Sequence, residues 1–347
     1  MPRQADIRSQ ADISSQADVS SQADVSSRAD MNKMTDTQTT AQPIIIGTRA
    51  SPLAVRQSEM VGAALAAAHG LDDGAVQFQK ISTKGDRLLD EKLSELGGKG
   101  LFTQELEAGL LDGTLACAVH SLKDLPTQDP EGLVLGAILP RADVADVLVP
   151  RPGLTLKSLD DLPSGGHVGT ASLRRQAQLL RVRPDLKVSL MRGNVGTRLK
   201  KLSDEGIDAT LLAAAGLARL GIAPEGAVPL ASEEMLPAAG QGALAVQCRA
   251  ADKSMRAMLA ALHCADTAAC VTAERAFLNA LDGSCRTPIA ALAHINDGTI
   301  NLHGRLLAEN GSDMVETRMT GAAEDAAALG HEAGAALRHQ APHLVAD

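Results

Sequence analysis

Between Pro43 and Leu212 the chain repeats one local grammar: a short apolar run of strand character, a loop rich in small and polar residues, then a helical stretch. Runs at Pro43–Ile46, Gln77–Ser82, Leu115–His120, Lys187–Met191 and Asp208–Leu212 read as strands. Ser51 suits a helix N-cap, Pro52 the first helical position and Gly70 the C-terminal stop, which predicts a helix reaching His69, and a second helix spans Leu101–Leu111. Such alternation predicts an α/β architecture of parallel-rich sheets with helices on both faces, where ligands sit beyond the strand C-termini.

After about Cys264 the grammar changes. A helix over Thr267–Leu281 leads through a loop to strands at Ile289–His294 and Thr299–Leu307, joined by the hairpin signal Asn296-Asp297-Gly298. A strand at Met314–Met319 and a closing helix at Ala322–Arg338 complete a small C-terminal α+β domain. A length of 347 residues accords with two or three domains. Residues 4–30 repeat a six-residue unit opening on Gln-Ala-Asp, too poor in apolar side chains to build a core, so 1–41 reads as a disordered tail. With no Trp, no Tyr and three Phe, the cores must be filled by Leu, Ile, Val, Met and Ala.

Charge is unevenly placed. The chain carries a formal charge of -9, yet from Thr170 to Lys201 nine Lys or Arg stand against one Asp. Arg49, Arg174, Arg175, Arg192 and Arg198 lie at strand-to-helix junctions that share one sheet edge, where helix N-termini and guanidinium forks converge on anions. Several separate arginines suit a ligand with many carboxylates better than one phosphate, and no phosphate-loop motif is present.

The acidic balance and the scarcity of aromatic rings argue against a nucleic-acid partner. No apolar run is long enough to span a membrane, and the start lacks a secretory layout, so the cytoplasm is the expected compartment. Five cysteines without C-x-x-C spacing read as reduced thiols, and no metal is expected.

Two residues stay open at this level. Asp124 after Lys123 reads equally as half of a surface salt bridge and as a carboxylate that steadies a cation or moves a proton. Cys285, in a loop beside Arg286, reads as an incidental thiol or as a nucleophile whose thiolate the arginine favours. Gly97-Gly98-Lys99-Gly100 has the composition of a hinge, which makes 86–95 a candidate lid. A two-domain cleft lined by arginines also suits a non-catalytic carboxylate-binding protein, which has no use for Cys285 or a third domain.

Six segments in order decide between these readings. Ile46-Gly47-Thr48-Arg49-Ala50-Ser51-Pro52-Leu53-Ala54, Gly97-Gly98-Lys99-Gly100-Leu101-Phe102 and Val119-His120-Ser121-Leu122-Lys123-Asp124-Leu125-Pro126 come first. Ser172-Leu173-Arg174-Arg175, then Arg192-Gly193-Asn194 with Thr197-Arg198-Leu199, and Gly240-Gln241-Gly242-Ala243 follow. Together they closely resemble the porphobilinogen deaminase family, also called hydroxymethylbilane synthases, from about Ile44 to Leu337.

The resemblance implies a monomeric transferase of heme and porphyrin biosynthesis with two periplasmic-binding-protein-like domains, 42–142 with 237–262 and 143–236, and a third at 263–347 carrying the cofactor cysteine. It implies a dipyrromethane cofactor held by a thioether to Cys285, onto which four porphobilinogen molecules condense with loss of ammonia to give hydroxymethylbilane. Asp124 matches the family's catalytic aspartate; Lys123, Ser172, Arg174 and Arg175 match cofactor contacts, and Arg49, Ser51, Arg192 and Arg198 substrate contacts. Ala171 and Ser284 depart from a serine and a glycine common in the family, and neither change removes a charge or the nucleophile.

Overall fold

The computed structural model describes residues 42–345 apart from 84, 86–102, 205 and 282–286. The hexapeptide tail, the Gly97–Gly100 cluster with its predicted lid, and Cys285 lie outside these residues. Three sheets organise the rest.

The first sheet holds β1 (Ile44–Arg49), β2 (Val76–Ile81), β3 (Cys117–Ser121), β4 (Leu133–Ile138) and β10 (Leu244–Arg249) in the order β2-β1-β3-β10-β4. β1 runs parallel to β2 and β3, while β10 is antiparallel to β3 and β4. Helix α1 (Pro52–His69) begins where the sequence places it: the Ser51 hydroxyl accepts the Ala54 N–H, and Gly70 closes the helix in the left-handed region. Its buried residues Ala54, Gln57, Ser58, Val61, Gly62 and Leu65 recur every three or four positions, forming a single stripe. Val61 and Leu65 meet Ile46, Val119 and Val246 in an aliphatic core. Helix α2 (Gln104–Leu111) covers the sheet through Leu106 and Leu110.

The second sheet repeats the plan. β5 (Asp146–Pro150), β6 (His167–Gly169), β7 (Lys187–Ser189), β8 (Ala209–Ala213) and β9 (Val228–Pro229) take the order β7-β6-β8-β5-β9. β6 is parallel to β7 and β8, and β5 is the antiparallel member. Helices α3 (Leu173–Val182), α4 (Val195–Asp204) and α5 (Ala214–Leu220) connect these strands. In each sheet one antiparallel strand is inserted beside the third strand of the parallel set, so the chain passes between the sheets twice. These two crossings touch: Leu139 N–H donates to Leu244 O at 3.0 Å and Ala142 N–H to Gly242 O at 3.2 Å.

Gly242 has a φ of 87°, and a Cβ there would collide with the Ala142 carbonyl. Gly242→Ala is therefore expected to cost about 1–3 kcal/mol of stability, read as a lower denaturant midpoint with unchanged slope.

Helix α6 (Lys253–Ala260) follows β10, and α7 (Ala265–Ala280) leads to the third sheet, an antiparallel meander of β11 (Ile289–Asn296), β12 (Thr299–Leu307) and β13 (Met314–Ala322) closed by α8 (Ala326–Gln340). The predicted hairpin turn is present: Asn296 pairs with Thr299 across Asp297 at φ 49° and Gly298 at φ 73°, the positive pair a two-residue turn demands. β13 runs past the expected Met319 because Gly321 and Ala322 still pair with Ile300 and Thr299. Phe277 fills the centre of this core among Ala, Leu and Ile, whereas Phe78 stays 40% exposed.

Candidate active site

The parallel strands of the first two sheets direct their C-terminal ends to a common region. An open cavity is lined there by Leu53, Gln57, Ser121 and Lys123 from the first sheet's elements and by Ala213, Ala215, Gly216 and Arg219 from the second's. The crossing residues Gly240, Gly242 and Ala243 complete its wall. Beside it, a second cavity is lined by Arg49, Gln57, His120, Ser121 and Asp124. Gln57 Nε2 donates to Ser121 Oγ at 2.9 Å, and this pair borders both spaces.

Each junction presents its group differently. Ser51 and Ser172 both act as helix caps, accepting the N–H of Ala54 at 3.3 Å and of Arg175 at 3.4 Å. Each hydroxyl keeps its own O–H available to donate. Lys123 and Asp124 stand in the single helical turn Leu122–Asp124 that ends β3, both with solvent-accessible side chains.

Arg174 and Arg175 turn inward. Both are buried and close on Asp146, the first residue of β5, which is fully buried: Arg174 Nη1 donates to Oδ2 at 2.7 Å, and Arg175 Nη2 and Nε donate to Oδ1 at 2.7 and 3.1 Å. Arg174 Nη1 also reaches Leu236 O and Arg175 Nη1 reaches Leu211 O, each at 2.7 Å. Gln241 Nε2 donates to the same carboxylate at 2.9 Å. Burial pushes the Asp146 carboxyl upward, but the charges and hydrogen bonds of the two arginines outweigh it and hold the group far below the usual carboxylate range. Arg174 Nε is buried without a hydrogen-bond partner among the described residues, a donor left for something else.

The remaining charges are within electrostatic reach of one another. Enclosure in the cleft pulls the Lys123 ammonium down to about 8, Arg175 and Arg174 add to this, and Asp124 and Asp146 oppose it; its exposed surface lets solvent screen all four. Burial and Arg175 pull Arg198 down to about 10, with Asp124 opposing and Arg192 reinforcing. Among the described residues, Lys123, Arg174, Arg175 and Arg198 are thus set against the carboxylates of Asp124 and Asp146, with Arg192 near Arg198. Burial, opposed by Gln247 and reinforced by Arg49, pulls His120 down to about 4, so the second cavity has a neutral imidazole at pH 7.

The structure therefore brings Lys123, Asp124, Ser172, Arg174, Arg175, Arg192 and Arg198 into one region, with Arg49 and Ser51 at its first-sheet margin. Cys285 is outside the described residues. Sequence reasoning did not single out Asp146, Gln57 or Arg219. The signal for Asp146 was available: an acid opening the apolar run Val147-Leu148-Val149 is buried only when cations offset it, and two adjacent buried arginines need such an anion. Arg219, whose Nη2 donates to Gly242 O at 2.6 Å, lies on the short α5 with no loop motif to mark it.

Comparison with known proteins gives a consistent answer. Residues 44–257 match the family model "Porphobilinogen deaminase, dipyromethane cofactor binding domain", and 268–339 match its C-terminal domain. A porphobilinogen deaminase of Nitrobacter winogradskyi is 48% identical over 297 residues, 85% of this chain and 93% of that protein. One of Paracoccus denitrificans is 48% identical over 309 residues, 89% and 98% of the two chains, and a chloroplastic one of Oryza sativa is 48% identical over 289 residues, 82% and 80%. Among solved structures, a Salmonella typhimurium periplasmic binding protein of high arginine specificity is similar at a TM-score of 0.37 and 13% identity, covering 64% of this chain and 92% of that one.

Proposed function

The chain belongs to the porphobilinogen deaminase family, a family of transferases of heme biosynthesis with a dipyrromethane cofactor, and on that premise we propose that it catalyses the hydroxymethylbilane synthase reaction through Asp124. The observation that carries this reading is the charge arrangement: an accessible carboxylate, Asp124, among lysine and arginine side chains that outnumber the acids near them among the described residues. Porphobilinogen brings an acetate and a propionate on every ring, and the surplus of cations suits them. The donor set fits a dipyrromethane for the same reason, since Arg174 Nε and the Ser51 and Ser172 hydroxyls remain available to carboxylates.

When bound, the dipyrromethane supplies the acceptor pyrrole on which the first condensation takes place. The residues of the chain do the rest. Arg49, Ser51, Arg192 and Arg198 hold substrate carboxylates, and Lys123, Ser172, Arg174 and Arg175 hold those of the cofactor. In the substrate the C–N bond to the protonated aminomethyl nitrogen breaks, nitrogen leaves with the electron pair as neutral ammonia, and the ring carries the positive charge. Asp124 steadies that charge; after the new C–C bond forms, its carboxylate takes the proton that restores the aromatic ring.

The same proposal attaches the cofactor to Cys285, in the part of the chain matched by the C-terminal model, while 44–257 grips its carboxylates. It divides the chain into 42–142 with 237–262, 143–236 and 263–347, a division supported by the three sheets, and has the protein act as a cytoplasmic monomer on a small anion rather than on nucleic acid. Intact-mass measurement of denatured native protein tests it. A mass increase of two linked pyrroles is expected, lost in Cys285→Ser together with turnover; an active enzyme whose mass equals that of its bare chain would refute the attachment.

A further inference from the structure

Asp146 does more than neutralise two arginines. Its Oδ1 accepts Gln241 Nε2 at 2.9 Å, the same amide donates to Val144 O at 2.7 Å, and Gln241 Oε1 accepts Lys123 Nζ at 3.2 Å. Gln241 is fully buried, and its amide has one workable orientation. Flipped, its oxygen would face a carboxylate and a carbonyl while its NH2 met an ammonium. The chain of bonds starts on β5 of the second sheet, passes through the crossing segment and ends beside Asp124 at the end of β3 in the first.

We propose that Asp146 and Gln241 are positioning residues that align the two halves of the active site, Asp146 by fixing the Arg174 and Arg175 guanidinium groups and Gln241 by aiming the Lys123 ammonium from that anchor. The inference rests on the roles given above to Lys123, Arg174 and Arg175. Substrate and cofactor carboxylates then meet cations already oriented, and the ordering cost is met in folding rather than at each round of condensation. Asp146 also sets the charge: with Lys123, Arg174 and Arg175 it leaves two net positive charges, enough to attract carboxylates without three unscreened cations at close range.

The decisive variant is Gln241→Met, which keeps volume and leaves the Asp146–arginine bonds in place. Three quantities are measured on the holoenzyme: covalent adduct by intact mass, kcat and KM for porphobilinogen, and the pH midpoint of Lys123 acylation by acetic anhydride, followed by peptide mass spectrometry. The adduct is expected to form, kcat to fall about ten- to a hundredfold with KM changed much less. The Lys123 midpoint should fall by about half a pH unit to one unit, the worth of one lost hydrogen bond to the ammonium. Asp146→Asn should move both quantities the same way and further, because Arg174, Arg175 and Lys123 then lack their shared anion; if that variant does not fold, Gln241→Met decides alone. An unchanged kcat and an unchanged Lys123 midpoint in Gln241→Met would overturn the proposal. A native protein with no adduct would instead undo the functional reading, and the acylation midpoints would still judge the hydrogen-bond chain.

Discussion

Asp124→Asn is expected to abolish turnover, with kcat down by at least about 10²–10³-fold, while the protein unfolds at nearly its normal temperature. The two halves of this expectation have different causes. Asp124 is exposed and ends a single helical turn, so its loss removes no buried contact, and surface substitutions of this kind stay within about 0.5 kcal/mol. Its charge is another matter. Lys123 and Arg198 both feel it, and the other carboxylate of that cluster among the described residues, Asp146, is locked onto Arg174 and Arg175. Without it, a substrate ring that turns cationic loses the accessible carboxylate that offsets its charge and is left among guanidinium and ammonium groups. Asparagine keeps the shape but can neither offset a positive charge nor accept a proton. Steady-state rates with porphobilinogen, beside a thermal melt, separate the two effects; near-normal kcat in a folded variant would remove Asp124 from its role.

What could be read in the sequence divides by the distance between partners along the chain. Ser51, Pro52 and Gly70 bound α1 by contacts within a few residues, and Asp297-Gly298 dictates its own turn, so both are legible. The convergence of arginines follows from strand ends sharing one edge, which alternation alone predicts. β10 is another case: it pairs Leu244 with Ser121, and nothing local in Leu244–Arg249 says that it enters a sheet begun about two hundred residues earlier, or that it runs antiparallel. Asp146 fails in the same way. Its partners Arg174, Arg175 and Gln241 are close only once two sheets and a crossing have formed, and the arginines expected to face ligand spend several of their donors on it. Direction of a side chain is the part of a site that spacing cannot supply.

Glu274→Ala is expected to cost about 3–5 kcal/mol of folding stability, a larger loss than that of Gly242→Ala. Glu274 lies fully buried on α7 and satisfies four donors: Arg141 Nη1 at 2.6 Å and Nη2 at 3.0 Å, Gly240 N–H at 2.7 Å and Ala293 N–H at 2.7 Å. These donors come from the two crossings between the first sheets and from β11 of the third, so one carboxylate fastens three parts of the fold. Alanine leaves both Nη groups of a nearly buried guanidinium and two backbone N–H groups without the carboxylate that satisfies them. The damage should also reach the site, because Gly240 precedes Gln241 and Arg141 Nε donates to the Gln241 carbonyl at 2.9 Å. Glu274→Gln should fall between, since the amide oxygen can still serve two donors while its NH2 opposes the others. Denaturant titration of the three proteins gives the order native, Gln, Ala; a native-like midpoint for the alanine variant would mean that the pair contributes no more than an exposed salt bridge does.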